Sequence, residues 1–300
     1  MMKVAITGGS GFVGQELTKL LQSKGHEVYI LSRSKHELTK GTHSIQWLSE
    51  NNKPERHLEG IDAWVNLAGV SINDGRWTEQ QKQKIYESRM KSTNEMLRII
   101  ETVKVKPKVL INASAIGIYP SSETASYTES SEERATDFLA RTVVDWENKA
   151  FNAEQLGIRT ASARFGIILG KDDGALPLMA LPYKMFVGGK VGSGQQWLSW
   201  VHIEDVALAI LFAIEKQDLN GPFNVTSPNP YIMNDFGKIL GDVLKRPHWI
   251  PVPSIALKIA LGDKSQLVLQ GQRVYPEKLM SHGFLFKFPE LKTALQDIYA

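Results

Sequence analysis

The opening of the chain constrains its fold more than any other feature. A short β-rich run, Lys3 to Thr7 (KVAIT), passes with no linker into GGSGFVG and then into a helical pattern from Phe12 to Ser23. A strand, a glycine turn and a helix in immediate succession make a β-turn-α unit, and such units stack their strands into a buried parallel sheet by right-handed crossovers. The texture continues: Glu27 to Ser32, Trp64 to Ala68, Lys108 to Ser114 and Arg159 to Leu169 read as strands, with a weaker one at Ile45 to Leu48. Between them Glu79 to Val103 and Phe138 to Gln155 carry the spacing of amphipathic helices. After Gly170 the chain turns rich in Gly and Pro, then gives a helix at Ile203 to Lys216, a strand at Pro222 to Thr226, a helix at Ile232 to Leu244 and a short closing helix. This predicts a sheet domain over 1–170 and a smaller lobe over 171–300, with later segments free to return to the sheet.

The glycines stand at Gly8-x-x-Gly11-x-x-Gly14, after a strand and at the start of a helix. Backbone that must approach a pyrophosphate cannot carry a Cβ there, and a helix N-terminus offers free N–H groups and the positive end of a dipole. Gly8, Ser10, Gly11, Phe12, Val13 and Gly14 are therefore expected to cradle a dinucleotide, the alternative being an ordinary tight turn. At the end of the second strand an NAD site would present an acid to the ribose 2′-hydroxyl, but the chain has Ser32-Arg33-Ser34. A guanidinium and a hydroxyl suit a 2′-phosphate, so the expected cofactor is NADP(H), against the reading of Arg33 as a solvated turn residue. The fourth strand ends in Asn66, Leu67, Ala68 and Gly69, where small residues let the chain pass a ribose. Farther on, Ser88, Arg89 and Ser92 share a helix; Arg89 either reaches back to the cofactor or pairs with Glu87 or Glu95.

The 35 basic and 32 acidic residues nearly cancel, so total charge points to neither nucleic acid nor an anionic membrane as partner. With no cysteine, disulfides, thiolate nucleophiles and iron–sulfur ligation are excluded. Seven histidines at 26, 36, 43, 57, 202, 248 and 282 show no local metal pairing, and no metal is expected. No hydrolase triad or nucleophile elbow emerges. VALAILFAI is too short to span a bilayer, and the N-terminus enters a strand at once, so a cytoplasmic protein is expected.

TGGSGFVG, VNLAG, NASAIGIYP, RFGIILG, SWVHIEDVA and FNVTSP together resemble an extended short-chain dehydrogenase/reductase of the group holding nucleotide-sugar epimerases and dehydratases. DWE at 145–147, GSGQQWLSWVHIEDV and the PVPSIALKIALGDKSQ tail narrow the resemblance to an epimerase-family branch, over essentially the whole chain. It implies an α/β fold, a Rossmann-type doubly wound parallel sheet with a smaller C-terminal α/β substrate lobe. It also implies nicotinamide cofactor contacts extending to Ser114 and Ile168, and in ordinary relatives a Tyr-x-x-x-Lys pair in which the lysine ammonium lowers the phenol pKa.

That pair is missing. With Glu147 matched to the glutamate that follows it, the lysine position falls on Val143 and the tyrosine position on Leu139, while the substrate-hydroxyl position falls on Ala115 with Ser114 one residue off. Replacement candidates on the loop after the fifth strand are Ser114, Tyr119, Tyr127, Glu129 and Asp137, each with a packing or capping alternative. His202 stands before a helix and reads as a joint between the lobes. Trp197, Trp200, Gln195 and Gln196 read as a ligand grip or as inter-lobe core. Two functions follow: an NADP(H)-dependent oxidoreductase or epimerase acting on a small, sugar-nucleotide-like molecule, or a non-catalytic NADP(H)-binding regulatory scaffold with a protein partner.

Overall fold

A computed structural model describes residues 1–34, 41–49 and 52–300; His36 lies outside the described residues. The first half runs β1 (Lys3–Thr7), α1 (Phe12–Ser23), β2 (Glu27–Ser32), β3 (Thr42–Gln46), β4 (Ala63–Asn66), α2 (Glu79–Thr102), β5 (Val109–Ala115), β6 (Ser126–Tyr127), α3 (Phe138–Phe151), β7 (Arg159–Phe165) and β8 (Ile167–Leu169). The second half runs α4 (Leu176–Lys184), β9 (Trp197–Leu198), β10 (Trp200–His202), α5 (Ile203–Glu215), β11 (Gly221–Val225), β12 (Tyr231–Ile232), α6 (Met233–Leu244), α7 (Ser254–Leu261), α8 (Gln266–Leu269), β13 (Arg273–Val274), α9 (Glu277–Ser281) and α10 (Leu291–Ile298). Seven strands in the order β11-β7-β5-β4-β1-β2-β3 form one parallel sheet.

Strand alternation explains how the sheet fills both faces. Val4, Ile6, Val28, Val65 and Ile111 join Leu17 of α1 and Ile210 of α5 in one buried cluster. Their neighbours Ala5, Leu31, Trp64 and Leu110 face the other way, onto Met96 and Ile100 of α2 and Ala150 of α3. Both α5 and β11 come after residue 170 yet belong to this layer: β11 pairs with β7, and Arg159 on β7 donates to the carbonyls of Ala213 and Ile214 at the C-terminus of α5, 3.0 and 2.8 Å away. The lobe has its own core, in which Leu176, Tyr183, Trp200, Phe236 and Leu295 bring together α4, α6 and α10.

One strand expectation is corrected. Arg159 to Leu169 is not continuous: β7 stops at Phe165, and β8 leaves the sheet to pair with β10. Gly166 makes the break, because a Cβ there would lie 2.5 Å from the Ser199 carbonyl oxygen. The helix expected to run to Gln155 ends at Phe151 and tightens into a 3₁₀ turn over Asn152–Leu156.

Candidate functional site

The glycine turn is tight and leaves no room for side chains at Gly8 and Gly14. Gly8 sits at φ +72°, and a Cβ on it would lie 2.8 Å from the Leu67 carbonyl oxygen. The N–H of Gly11 donates to the Gly8 carbonyl at 3.0 Å, and a Cβ on Gly14 would come within 2.5 Å of that same oxygen. Gly11 caps α1 without any side-chain hydrogen bond to the N–H groups of its first turn. Ser10 is exposed, its carbonyl held by Gln15 Nε2 at 2.8 Å. Phe12 presses its ring on the loop after β8, so that a Cβ on Gly170 would meet the ring at 2.4 Å. Val13 and Ile168 are half-buried on the same core cluster.

At the end of β2 the Ser32 hydroxyl donates to the Ser34 carbonyl. Arg33 is exposed, and its carbonyl is fixed by Gln46 Nε2 at 3.0 Å, so the backbone is anchored while the guanidinium faces solvent.

The segment after β4 is clamped by three residues of one face of α2. Ser88 Oγ accepts from the Val70 N–H at 3.0 Å, Ser92 Oγ donates to the Ala68 carbonyl at 3.4 Å, and Arg89 Nη1 donates to the Val70 carbonyl at 3.1 Å. Gly69 makes room: a Cβ there would sit 3.1 Å from Arg89 Cζ. The alternative partners of Arg89 are occupied elsewhere, since Glu95 binds Arg98 at 2.7 Å and Glu87 accepts from Gln83 at 2.7 Å. Arg89 instead lies over the Trp146 ring, 5.0 Å from its centroid, and burial pulls its pKa down to about 10. Among the described residues, the hydrogen bonds of this desolvated guanidinium go to backbone carbonyls, those of Val70 and Ile85.

The replacement acids and hydroxyls are drawn into a buried network. Ser114 Oγ donates to Glu147 Oε1 at 2.5 Å; Arg164 Nε and Nη2 each reach a Glu147 oxygen at 2.8 Å. Arg164 Nη1 donates to the Tyr119 hydroxyl at 2.8 Å, which donates to Asn224 Oδ1 at 3.0 Å. Glu129 accepts from the N–H groups of Asn224 and Lys278 at 2.8 and 3.2 Å. Burial pushes the pKa of Tyr119 up, an effect Arg164 only partly offsets, and likewise raises that of Glu129 against its backbone donors. For Arg164, burial works against the charge, but the Glu147 bonds outweigh it and hold the guanidinium more basic than usual. The network joins β5, α3, β7 and β11, and it gives Ser114, Tyr119 and Glu129 structural partners.

Tyr127 stacks on Tyr119, centroids 5.3 Å apart, and Asp137 is the N-cap of α3, accepting from the Ala140 N–H at 2.9 Å. Val143 is buried among Ile116, Ile118 and Tyr119, Leu139 is half-buried, and Trp146 anchors the helix by an Nε1 bond to Thr93 at 3.1 Å. Sequence reading used Glu147 only to set the register and passed over Arg164 and Asn224. The available signal was a cation inside the small-residue strand TASARFG, which demands a buried anion.

In the lobe, His202 caps α5: its Nδ1 accepts from the Glu204 N–H at 3.2 Å, while its ring lies 4.1 Å from that of Phe288. Trp200 is buried in the lobe's own core and bonds the Asn229 carbonyl at 2.9 Å, and Gln196 Nε2 donates to the Val191 and Val268 carbonyls at 3.1 and 3.0 Å, so both are held within the lobe. Trp197, half-exposed, bonds the Glu123 carbonyl at 2.8 Å beneath Arg273, and Gln195 is exposed. His202, Glu204 and Asp297 converge, with ligand atoms within 4.8 Å of one another. Two details oppose a cation there: an Nδ1 that accepts a hydrogen bond leaves the proton on Nε2, and Glu204 is already held by Lys287 Nζ at 2.5 Å.

A parallel sheet with helices on both faces, a glycine turn with no room for a Cβ at Gly8 leading into α1, and a lobe over the C-terminal strand ends together define a nicotinamide-dinucleotide protein of the extended short-chain dehydrogenase/reductase type. The chain belongs to the NAD dependent epimerase/dehydratase family, whose model matches residues 4–226; a domain of unknown function (DUF1731) matches 252–298. It is 50% identical to the epimerase family protein YfhF of Bacillus subtilis, over 100% of this chain and 98% of that one. Among solved structures it is similar to the human epimerase family protein SDR39U1 (isoform 2) with NADPH, at 32% identity and TM-score 0.88 over 99% of each chain. The Thermus thermophilus UDP-glucose 4-epimerase complex with NAD shares the fold, at 20% identity and TM-score 0.77 over 100% of this chain and 99% of that one. No helix among the described residues is long and apolar enough to cross a membrane.

Proposed function

We propose that the chain is an NADP(H)-dependent oxidoreductase or epimerase-like enzyme that exchanges hydride with a carbonyl or hydroxyl of a small molecule, without a tyrosine–lysine pair. The observation that carries this reading is a glycine turn with no room for a Cβ at Gly8 against the Leu67 carbonyl, beside a segment that Arg89 clamps at Val70 as a desolvated cation bonded to backbone carbonyls and laid over the Trp146 indole. Bound nicotinamide supplies the hydride chemistry. The chain's own part is to hold the pyrophosphate on the α1 N-terminus, to place Arg33 and Ser32 at the 2′-phosphate, and to wall the C-terminal sheet edge with Leu139 and Val143 in place of titratable groups. The NADPH in the human relative's structure supports the choice of cofactor.

The test is direct binding of NADPH and NADH by fluorescence, followed by absorbance assays with NADPH and a panel of carbonyls and nucleotide sugars. Tighter NADPH binding with turnover of at least one carbonyl is expected. Binding with no turnover and no epimer exchange across the panel would favour the regulatory scaffold, and failure to bind either cofactor would overturn both.

A further inference from the structure

Large apolar side chains left in solvent are not spread evenly over this protein. Of thirteen exposed ones among the described residues, nine fall within 178–187 and 249–259. In α4 the buried stripe of Leu176, Ala180 and Tyr183 is answered on the opposite side by Leu178 and Leu181, so that the helix is apolar all round. In α7 no residue is buried, and Ile255 and Ile259, one turn apart, are 71% and 76% exposed.

The two segments are one surface. The Trp249 N–H donates to the Gly188 carbonyl at 2.9 Å and the Val252 N–H to that of Lys190 at 2.8 Å, while Trp249 Nε1 reaches the Phe186 carbonyl at 2.8 Å. Arg246 lies over the Phe186 ring, 4.4 Å from its centroid. Charge is as uneven as hydrophobicity. Residues 178–192 and 245–262 hold Lys184, Lys190, Lys245, Arg246 and Lys258 and not one Asp or Glu, in a chain whose charges otherwise nearly cancel. Asp263, the first acid beyond α7, is taken by Lys82 at 2.9 Å.

We propose that this face docks on an anionic lipid surface, with Phe186, Trp249, Ile255 and Ile259 entering the interface and the exposed Lys184, Lys190, Lys245 and Lys258 facing the headgroups. The charge favours this occupant over a second copy of the chain. In a two-fold interface the same patch meets itself, setting its lysines against one another. An anionic bilayer is complementary to both properties at once, and an exposed Trp flanked by Lys and Arg is the composition of an interfacial segment. The whole-chain balance concealed this, because the compensating acids lie elsewhere.

The experiment is co-sedimentation of the full chain with vesicles of phosphatidylcholine alone or mixed with phosphatidylglycerol. Binding only to the mixed vesicles is expected, with release at about 0.5 M salt. Lys190→Ala combined with Lys258→Ala is expected to lower partition about 30-fold, from about 1 kcal/mol per surface cation. Ile255→Ser with Ile259→Ser is expected to lower it at least about tenfold, with unchanged melting temperature and NADPH binding certifying both variants as folded. Absence of binding to anionic vesicles at low salt overturns the proposal, as does equal binding by folded variants. Sedimentation velocity showing a dimer that the isoleucine pair abolishes would assign the face to a second copy instead.

Discussion

Glu147 and Arg164 meet inside the protein as a bidentate ion pair, Nε and Nη2 of the arginine each 2.8 Å from a carboxylate oxygen, with both side chains less than a tenth exposed. Ser114 adds a further bond to the carboxylate and Tyr119 one to the guanidinium, so every nitrogen of the Arg164 guanidinium has a partner. A pair so completely bonded returns much of its desolvation cost, whereas either partner alone would be a buried unpaired charge.

Glu147→Ala is therefore expected to destabilise the fold by about 3–5 kcal/mol, and replacing both residues by apolar ones of similar volume to recover most of that loss. Urea unfolding of the wild type and the two variants at neutral pH measures it. A loss below about 1 kcal/mol for the single variant would mean that water replaces the carboxylate.

The sheet could be read from the sequence because each β-α unit carries its own local signal: Val4 and Ile6 alternate with Ala5, and Gly8 to Gly14 falls between a strand and a helix. The Glu147–Arg164 pair could not, since nothing local says which of many acids will stand opposite a strand arginine. Gly166 was hidden for a related reason: its lack of a side chain is required by Ser199, thirty-three residues on. The basic apolar face escaped a reading based on summed charge, which is blind to position.

Arg89 separates a cofactor role from a structural one. Arg89→Ala is expected to weaken NADPH binding about 10- to 100-fold, corresponding to the loss of hydrogen bonds to a charged group, with Arg89→Lys intermediate because the charge stays and the planar fork is lost. Isothermal titration gives the affinity, and melting of the free protein gives the contribution of the Val70 clamp. Unchanged affinity beside a lowered melting temperature would leave Arg89 as a clamp alone.

Arg33 bears on the choice of cofactor. Its side chain is exposed above an anchored backbone, so its removal should leave the fold intact. Arg33→Ala is expected to cost about tenfold or more in affinity for NADPH and to leave NADH almost unaffected, since only the 2′-phosphate distinguishes them. Competitive titration of the two dinucleotides is the check, and equal losses for both would remove the 2′-phosphate assignment.

His202 makes stability depend on pH in a definite direction. Burial lowers its pKa below the ordinary value of 6.5, against the smaller opposing effects of Glu204 and Asp297. Below about pH 6.5 the unfolded chain then binds a proton that the folded chain resists, so stability is lost as pH falls through this window and the loss levels off below the folded pKa. Protonation also turns Nδ1 from acceptor to donor and breaks the cap on the Glu204 N–H, worth about 1 kcal/mol. Asp205 and Glu129 act in the opposite sense, because their raised pKa values favour the folded state as acid is added, so the histidine must be isolated by difference. His202→Asn retains a capping acceptor and does not titrate. Melting curves between about pH 7.5 and 5.5 should fall more steeply for the wild type than for this variant; parallel curves would mean that Asp297, 3.5 Å from Nε2, compensates the proton in full.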